Sequence, residues 1–232
     1  MKQIQTQLET KLKFKRIEKN YVILCEGVDT KNFLLNYLQS QELKSDSRFS
    51  NDIQLIDFGG INDLRSYICN LIQLDDFETV RSMLIIRDAE TDSFGAVTSI
   101  QTALTKNGLP SPQGCNIWVS GGSYNVKIAF SLMPSCSVQP VEGALEDLCW
   151  EVLNNDSDKQ IRNEVDNFVS RMKDKYHCIV SHKHKSKLHT FFSINEKLIS
   201  LKIGEASKAG AFDWDSDKLK PLKDVIMEGF VK

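Results

Sequence analysis

The sequence predicts an α/β protein whose core is a mostly parallel sheet of four to five strands flanked by helices. Between residues 21 and 132, short apolar runs alternate with amphipathic stretches, which is typical of parallel strands joined by right-handed crossovers. The run 83–86 is apolar at every position, as expected for a strand covered by helices on both faces. After Pro140 nearly all of the periodicity is helical. We therefore predict an α/β core in residues 1–140 and a helical C-terminal subdomain in residues 141–232 that packs on it.

The predicted strands coincide with runs of apolar and branched residues that end at glycine, acidic or polar residues. Their ranges are 21–27, 53–58, a part of 82–92, 116–120 and 124–132. Pro134 and Pro140 follow the last of these strands closely. Because proline cannot donate to a strand ladder, we expect this last strand to point to an edge of the sheet.

Helices are predicted where apolar residues recur at spacings of three and four. In the core they cover about 1–20, about 30–41 behind a cap at Asp29 or Thr30, a stretch that opens at Asn62 or Asp63 after Gly59-Gly60, and 93–106. In the C-terminal part they cover 143–153, 157–176, 186–196 and 219–230, with one short strand at 178–180. The core helices lie between the strands along the chain, which is the order that a parallel sheet requires.

The composition predicts a soluble globular protein. The chain has 232 residues, of which 41% are hydrophobic and 26% are charged, and its formal net charge is −2. No stretch approaches the roughly 20 apolar residues that cross a bilayer, and the N-terminus lacks the apolar centre of a signal peptide. We therefore expect a cytoplasmic protein without a membrane partner. The six cysteines are scattered and form no CxxC pair, which favours reduced thiols over disulfides.

Carboxylates follow two of the predicted strands. Glu26 closes the first strand, and Asp88 and Glu90 follow the apolar run of the third. If the chain stays extended, Asp88 and Glu90 leave the same face, and if the two strands are neighbours, Glu26 faces Asp88. Carboxylates this close repel each other unless a cation or a shared proton neutralises them, which suggests Mg²⁺ or Mn²⁺. The alternative is that these acids cap the following helices, as Asp92 would before the helix 93–106.

This order of motifs resembles the Toprim superfamily. One strand ends in Glu26-Gly27, a later strand ends in two acids one residue apart, and strands and helices alternate between them. Within the superfamily the chain looks like short prokaryotic Toprim-like proteins related to the OLD-type nucleases of phage defence. The motifs cover about residues 20–125, and 141–148 and 185–191 are similar to weaker family signatures. The second acid is Glu90 where the family usually has aspartate, so its reach to a metal differs.

The resemblance implies a nuclease that hydrolyses nucleic-acid phosphodiesters with Mg²⁺ or Mn²⁺. It implies the following roles: Glu26 as metal ligand or general acid/base, Asp88 and Glu90 as metal ligands, Asp92 as an auxiliary ligand, Glu146 and Asp147 as a second metal position, Lys187 as the lysine that neutralises the transition state, and Gly27, Gly59 and Gly60 as turns that approach phosphate. From the residues alone, an exposed helical face explains Glu146 and Asp147 equally well.

The resemblance also implies partners. DNA is a more expected substrate than RNA, and an ABC-type ATPase is expected on a separate chain, because this sequence has no GxxxxGK[ST] loop of its own. A second hypothesis is a non-catalytic Toprim-like module that binds a partner protein or a nucleotide phosphate through the same acids and glycine turns. A third is an interaction protein whose helical subdomain carries the function beside a vestigial sheet.

Three further patterns each have a simpler structural explanation. The spacing of four histidines around Cys178 matches no common zinc template, so we predict a solvated basic turn there; they are His177, His182, His184 and His189. The basic residues from Arg171 to Lys187 fit either contact with phosphate or a solvated helix face. The acids of 213–217 lack the glycine and the distant glutamate of a calcium loop, which favours a helix-capping loop.

Overall fold

The computed structural model describes residues 16–60, 63–154, 159–178 and 183–231. In this part of the chain, five strands form one sheet in the order β2-β1-β3-β5-β4. They are β1 Tyr21–Cys25, β2 Ile53–Asp57, β3 Ser82–Asp88, β4 Val119–Gly121 and β5 Tyr124–Met133. The pairs β1·β2, β1·β3 and β3·β5 are parallel, and β4 runs antiparallel to β5. The predicted mostly parallel sheet is therefore confirmed.

Helices flank the sheet and make up most of the chain after β5. They are α1 Gly27–Leu38, α2 Gln41–Lys44, α3 Leu64–Leu71, α4 Ser93–Lys106, α5 Leu145–Glu151, α6 Lys159–Asp174, α7 Lys183–Ile194, α8 Ile203–Lys208 and α9 Lys220–Gly229, with 3₁₀ turns at Asp75–Thr79 and Asp217–Leu219. The predicted helix 93–106 is confirmed with these bounds, and the helical character of the C-terminal part is confirmed.

The first helix begins earlier than the sequence predicts. Its N-cap is Glu26, with ψ of 112°, and Gly27 has φ of +80°, so the chain turns from β1 into α1 without an intervening loop. Only glycine adopts such a φ at little cost. The prediction of a cap at Asp29 or Thr30 is therefore wrong. The polypeptide brings Glu26 to the junction of strand and helix, directly beyond the carboxyl end of β1.

The last predicted strand does not lie at an edge. β5 pairs with β3 on one side and with β4 on the other, and the short β4 forms the edge. β4 spans only residues 119–121, whereas the predicted strand covers 116–120. It ends in the glycine turn that leads into β5. Prolines beyond a strand limit its length, but they do not exclude a partner along its other side.

Two hydrophobic layers cover the sheet, because successive side chains of a strand point to opposite faces. Val22 and Leu24 of β1 belong to the layer formed with α3 and α4. Ile23 and Cys25 belong to the layer formed with α1 and with α5, α7, α8 and α9. The C-terminal helices therefore share a core with the sheet, and the boundary at residue 140 stays a prediction.

Several predictions fall on residues outside the described part of the chain. These are most of the helix 1–20, a start of α3 at Asn62, a strand through Ile179 and Val180, and the position of His182. Within the described part, no helix combines the length and the apolar character that crossing a membrane would need.

Gly229 lets α9 approach the edge of the sheet closely. A Cβ at this position would overlap the six-membered ring of Trp118, whose Nε1 donates to the carbonyl oxygen of Val225 at 3.1 Å. We expect Gly229→Ala to lower the free energy of unfolding by about 1–3 kcal/mol, because the ring has to move. Urea unfolding measures the change. Gly60→Ala is the control, since its Cβ would meet Asp63 Oδ2 at 3.8 Å, and equal stabilities of the two variants would contradict the prediction.

Candidate active site

The register of the sheet brings Glu26 opposite Arg87. β1 and β3 are neighbours, with Cys25 opposite Ile86, and the N–H of Glu26 donates to the carbonyl oxygen of Ile86 at 3.1 Å. One step further along the same register, Glu26 Oε2 lies 3.7 Å from Arg87 Nε. The expected neighbourhood of the two strands is confirmed. In the register of the sheet Glu26 lies opposite Arg87 rather than Asp88, but the charge of Glu26 still raises the pKa of Asp88.

Arg87 is a buried cation at the carboxyl end of β3. Its side chain is 1% exposed, and its Nη1 has no hydrogen-bond partner, as is also true of Glu26 Oε2. Burial lowers the pKa of Arg87, while the charges of Glu26, Asp88 and Glu90 raise it. Burial raises the pKa of Glu26, Arg87 opposes that rise, and Glu90 adds to it. The sequence contained a signal that was missed, namely a charged residue directly after an apolar run.

Asp88 lies at the N-terminus of α5. Its Oδ1 accepts the N–H of Leu145 at 3.0 Å, so a helix from the C-terminal part is fixed to the end of β3. Burial raises the pKa of Asp88 to about 8, and the charges of Glu26 and Glu146 contribute to the rise. The hydrogen bond from the N–H of Leu145 lowers the pKa of Asp88 and so opposes part of this rise. Asp88 is therefore a carboxyl group whose negative charge is poorly compensated.

Glu90 does not continue the strand. Its φ is +54°, and its N–H and carbonyl oxygen bond to Gly143 at 2.8 and 2.7 Å. The premise that the chain stays extended from Asp88 to Glu90 is therefore wrong. The charge of Glu90 nevertheless raises the pKa of Glu26 and of Asp88. The carboxylate of Glu90 thus lies close enough to Glu26 and Asp88 to raise their pKa values, although Glu90 belongs to a turn and not to the strand.

Glu146 joins these acids from the first turn of α5. Its side chain is 10% exposed and its Oε1 lies 3.6 Å from Lys185 Nζ. We call Glu26, Asp88, Glu90 and Glu146, with Arg87 and Lys185, the acidic cluster. Asp147, the next residue, accepts the N–H of Ala144 at 2.9 Å and lies 3.8 Å from His184 Nδ1. Its carboxylate caps α5.

Two further predicted site residues have other partners. Asp92 accepts the N–H of Gly95 at 2.8 Å and caps α4, which agrees with the structural alternative for this residue. Lys187 forms an ion pair with Asp166 of α6, and its ammonium lies 5.9 Å from the ring centroid of Trp150. Lys185, two residues earlier, is the lysine that the structure brings to a carboxylate of the acidic cluster. The sequence offered no signal for choosing between these two lysines.

The three glycines predicted to approach phosphate donate their N–H groups to aspartates. Asp57 Oδ1 accepts from Gly27 at 2.9 Å and from Gly59 at 2.8 Å, and Asp63 Oδ2 accepts from Gly60 at 3.1 Å. Asp57 ends β2, next to the end of β1. A phosphate that bound these N–H groups would have to displace both carboxylates.

The donor set of the acidic cluster fits a hard divalent cation. All four acids offer carboxylate oxygens, and Glu26 Oε2 is buried without a hydrogen-bond partner. Among the described residues, however, no three or more side chains of His, Cys, Asp or Glu are arranged to hold a metal ion. Binding therefore requires that the carboxylates turn toward one another. The long side chains of Glu26, Glu90 and Glu146 have the torsional freedom to do so.

The family model that matches this chain is DUF3226, described as a protein of unknown function, and it covers residues 20–230. The chain belongs to the DUF3226 family. The match includes the acidic cluster, the whole sheet and the C-terminal helices. No curated protein and no solved structure matches the chain. The DUF3226 match thus covers both the sheet and the C-terminal helices. The function has to be inferred from the site.

Proposed function

We propose that this DUF3226 protein is a Mg²⁺- or Mn²⁺-dependent nuclease of the Toprim type that hydrolyses phosphodiester bonds at the acidic cluster. One observation carries the proposal. Beyond the carboxyl ends of the parallel strands β1 and β3, the negative charges of Glu26 and of Glu146 at the start of α5 raise the pKa of Asp88. In open α/β sheets, ligands bind at this edge. The resemblance of the motif order to Toprim proteins supports the same reaction.

The residues of the cluster have separate roles in this proposal. A bound divalent cation supplies charge stabilisation for the attacking and leaving oxygens. Asp88 and Glu90 provide the carboxylates that hold it, and Leu145 fixes the orientation of Asp88 through its N–H. Glu26, whose pKa burial raises, gives a proton to the leaving oxygen or takes one from the attacking water. Arg87 keeps Glu26 in position across 3.7 Å.

The biological setting of this activity is also a proposal. The resemblance to OLD-type nucleases supports a role as the effector subunit of a phage-defence system, with the ABC-type ATPase on a separate chain. It favours DNA over RNA as the substrate. Lys187 remains the lysine that the resemblance assigns to the transition state, whereas the contact with Glu146 favours Lys185 for that role.

Cleavage assays test the nuclease. Supercoiled plasmid and single-stranded RNA are incubated with Mg²⁺ or Mn²⁺, and we expect the native chain to cleave DNA and Asp88→Ala to be slower by roughly 100-fold or more. The control is Asp224→Asn, an exposed carboxylate paired with Lys220, which should cleave at the native rate. Equal rates for the native chain and Asp88→Ala would assign the activity to a contaminant and overturn the proposal.

A second candidate function is the non-catalytic module that binds a partner protein or a nucleotide phosphate. One observation favours it over the nuclease: no described group of acidic, histidine or cysteine side chains is arranged in advance for a metal ion. Binding of Mn²⁺ by the native chain without cleavage of any nucleic acid, also after addition of an ATPase partner, would support this module over the nuclease.

A further inference from the structure

The helices α6 and α7 form an antiparallel hairpin. Lys187 of α7 pairs with Asp166 of α6, and the first turn of α6 lines one groove together with the last residue of α7. The end of α6 and the start of α7 therefore lie at the same end of the hairpin. We call the described residues at this end, 171–178 and 183–185, the hairpin tip.

The hairpin tip is strongly basic and borders the acidic cluster. It contains one acid, Asp174, and five basic residues, of which Lys185 contacts Glu146 at 3.6 Å. The other four are exposed and form no ion pair with a carboxylate of the described residues; they are Arg171, Lys173, Lys175 and Lys183. Uncompensated positive charge thus lies directly beside the carboxylates of the candidate active site.

The stability of the helices does not explain this charge. Lys183 and Lys185 stand in the first turn of α7, which contains no acid, and positive charge at a helix start opposes the helix dipole. The basic residues that end α6 suit the dipole of their own helix, but the antiparallel arrangement brings them to the same end of the hairpin as the lysines of α7. A bound polyanion would relieve the resulting repulsion between like charges.

Two features of the hairpin tip favour nucleic acid as this polyanion. Its contact with Glu146 places it beside the acidic cluster, and the side chain of Tyr176 is exposed, with Lys175 Nζ 5.5 Å from the centroid of its ring. Lysines combined with an exposed aromatic ring are typical of surfaces that hold phosphates and stack on unpaired bases. The net charge of the whole chain is −2, so a polyanion needs a local basic surface of this kind.

We propose that the hairpin tip binds the phosphate backbone of the nucleic acid that the acidic cluster cleaves, with Tyr176 stacked on an unpaired base. The inference rests on the proposed function and names the surface that holds its substrate. The carboxylates of the acidic cluster repel the phosphates of a nucleic acid. The cations of the hairpin tip offset this repulsion next to the cluster.

Binding measured without divalent cations tests the proposal separately from cleavage. Fluorescence anisotropy of labelled single-stranded DNA is followed in the presence of a chelator over a range of salt concentrations. The tip variant removes three exposed charges by Lys173→Gln, Lys175→Gln and Lys183→Gln. We expect it to bind roughly 100-fold more weakly at about 0.1 M salt, with a slope of log K against log salt that is shallower by about 2. Tyr176→Ala should bind about tenfold more weakly with an unchanged slope.

A control variant makes the same change in net charge elsewhere on the surface. It carries glutamine at three exposed lysines on or next to α8, none of which pairs with a carboxylate of the described residues; they are Lys197, Lys202 and Lys208. We expect it to bind DNA like the native chain. Equal weakening of the control and the tip variant would show that only net charge matters and would overturn the proposal. Circular dichroism checks that each variant is folded.

The outcomes separate this inference from the proposed function. Native affinity in the folded tip variant overturns the role of the hairpin tip and leaves the nuclease standing. Binding that only the tip variant and Tyr176→Ala weaken, without cleavage by the native chain after addition of Mg²⁺ or Mn²⁺, supports the hairpin tip and counts against the nuclease. Native affinity in Tyr176→Ala overturns the stacking. Binding of phosphatidylserine vesicles in place of DNA overturns the assignment to nucleic acid.

Discussion

Asp88→Asn is expected to make the cation-free protein more stable than the native chain at pH 8.5, by up to about 5 kcal/mol. The amide retains an oxygen that can accept the N–H of Leu145, which reaches Asp88 Oδ1 at 3.0 Å. The substitution removes a carboxyl group whose pKa burial and the charges of Glu26 and Glu146 raise to about 8. At pH 8.5 the native chain has to ionise this group in the folded state, and the variant does not.

The sign of the pH dependence follows from the two protonation states. Between about pH 4 and pH 8, folded Asp88 holds a proton that the unfolded chain has released. The free energy of unfolding of the native chain therefore falls as pH rises through this window, by at most about 1.4 kcal/mol per pH unit. Above this window, Asp88 makes no further contribution to the pH dependence. Asp88→Asn lacks this decline, so the two curves coincide near pH 4 and diverge at higher pH.

Urea unfolding in the presence of a chelator, at intervals from pH 4 to pH 9, measures these curves. Asp52→Asn is a control of opposite sign, because the N–H of Asn20 lowers the pKa of Asp52. The stability that Asp52 contributes is present above its unfolded pKa and is lost as pH falls. Parallel curves for the native chain and Asp88→Asn would contradict the prediction. Added Mg²⁺ should stabilise the native chain at pH 8.5 and leave Asp88→Asn unchanged.

Local patterns were sufficient to predict most of the fold. The apolar run at 83–86 is central strand β3, and the capped stretch 93–106 is helix α4, because both depend on residues close in sequence. The position of β5 was predicted wrongly, since its outer edge is covered by β4, and sequence alone does not state which edges are paired. The start of α1 was missed because it depends on the positive φ of Gly27.

The sequence predicted only part of the acidic cluster, because the rest depends on contacts between residues far apart in sequence. Glu26 and Asp88 end strands, so their common edge follows from the topology. The partners of Arg87, Lys185 and Asp57 could not be predicted from spacing, because they depend on register and on packing between residues far apart in sequence. Lys185 contacts Glu146 and Lys187 contacts Asp166, and which lysine meets which acid depends on how α7 packs against its neighbours.

Arg87→Met is expected to lower the free energy of unfolding by about 3–5 kcal/mol in the absence of divalent cations. Methionine keeps an unbranched apolar side chain in the core, and it removes the charge that lies 3.7 Å from Glu26. The carboxylates of Glu26, Asp88 and Glu90, all of which act on Arg87, then lose their buried counter-ion. Removing one partner of a buried pair costs more than the pair contributes, because an uncompensated charge stays behind.

A double-mutant cycle distinguishes lost charge from lost packing. Arg87→Met combined with Glu26→Gln should recover more than half of the stability that Arg87→Met loses, because the amide leaves no charge opposite the methionine. Arg81→Met, at an exposed position directly before β3, is the control and should change stability by no more than about 0.5 kcal/mol. Additive effects of the two substitutions would mean that Arg87 stabilises the sheet by its volume alone. Strong coupling would identify it as the counter-ion that lets Glu26 lie buried at the end of β1.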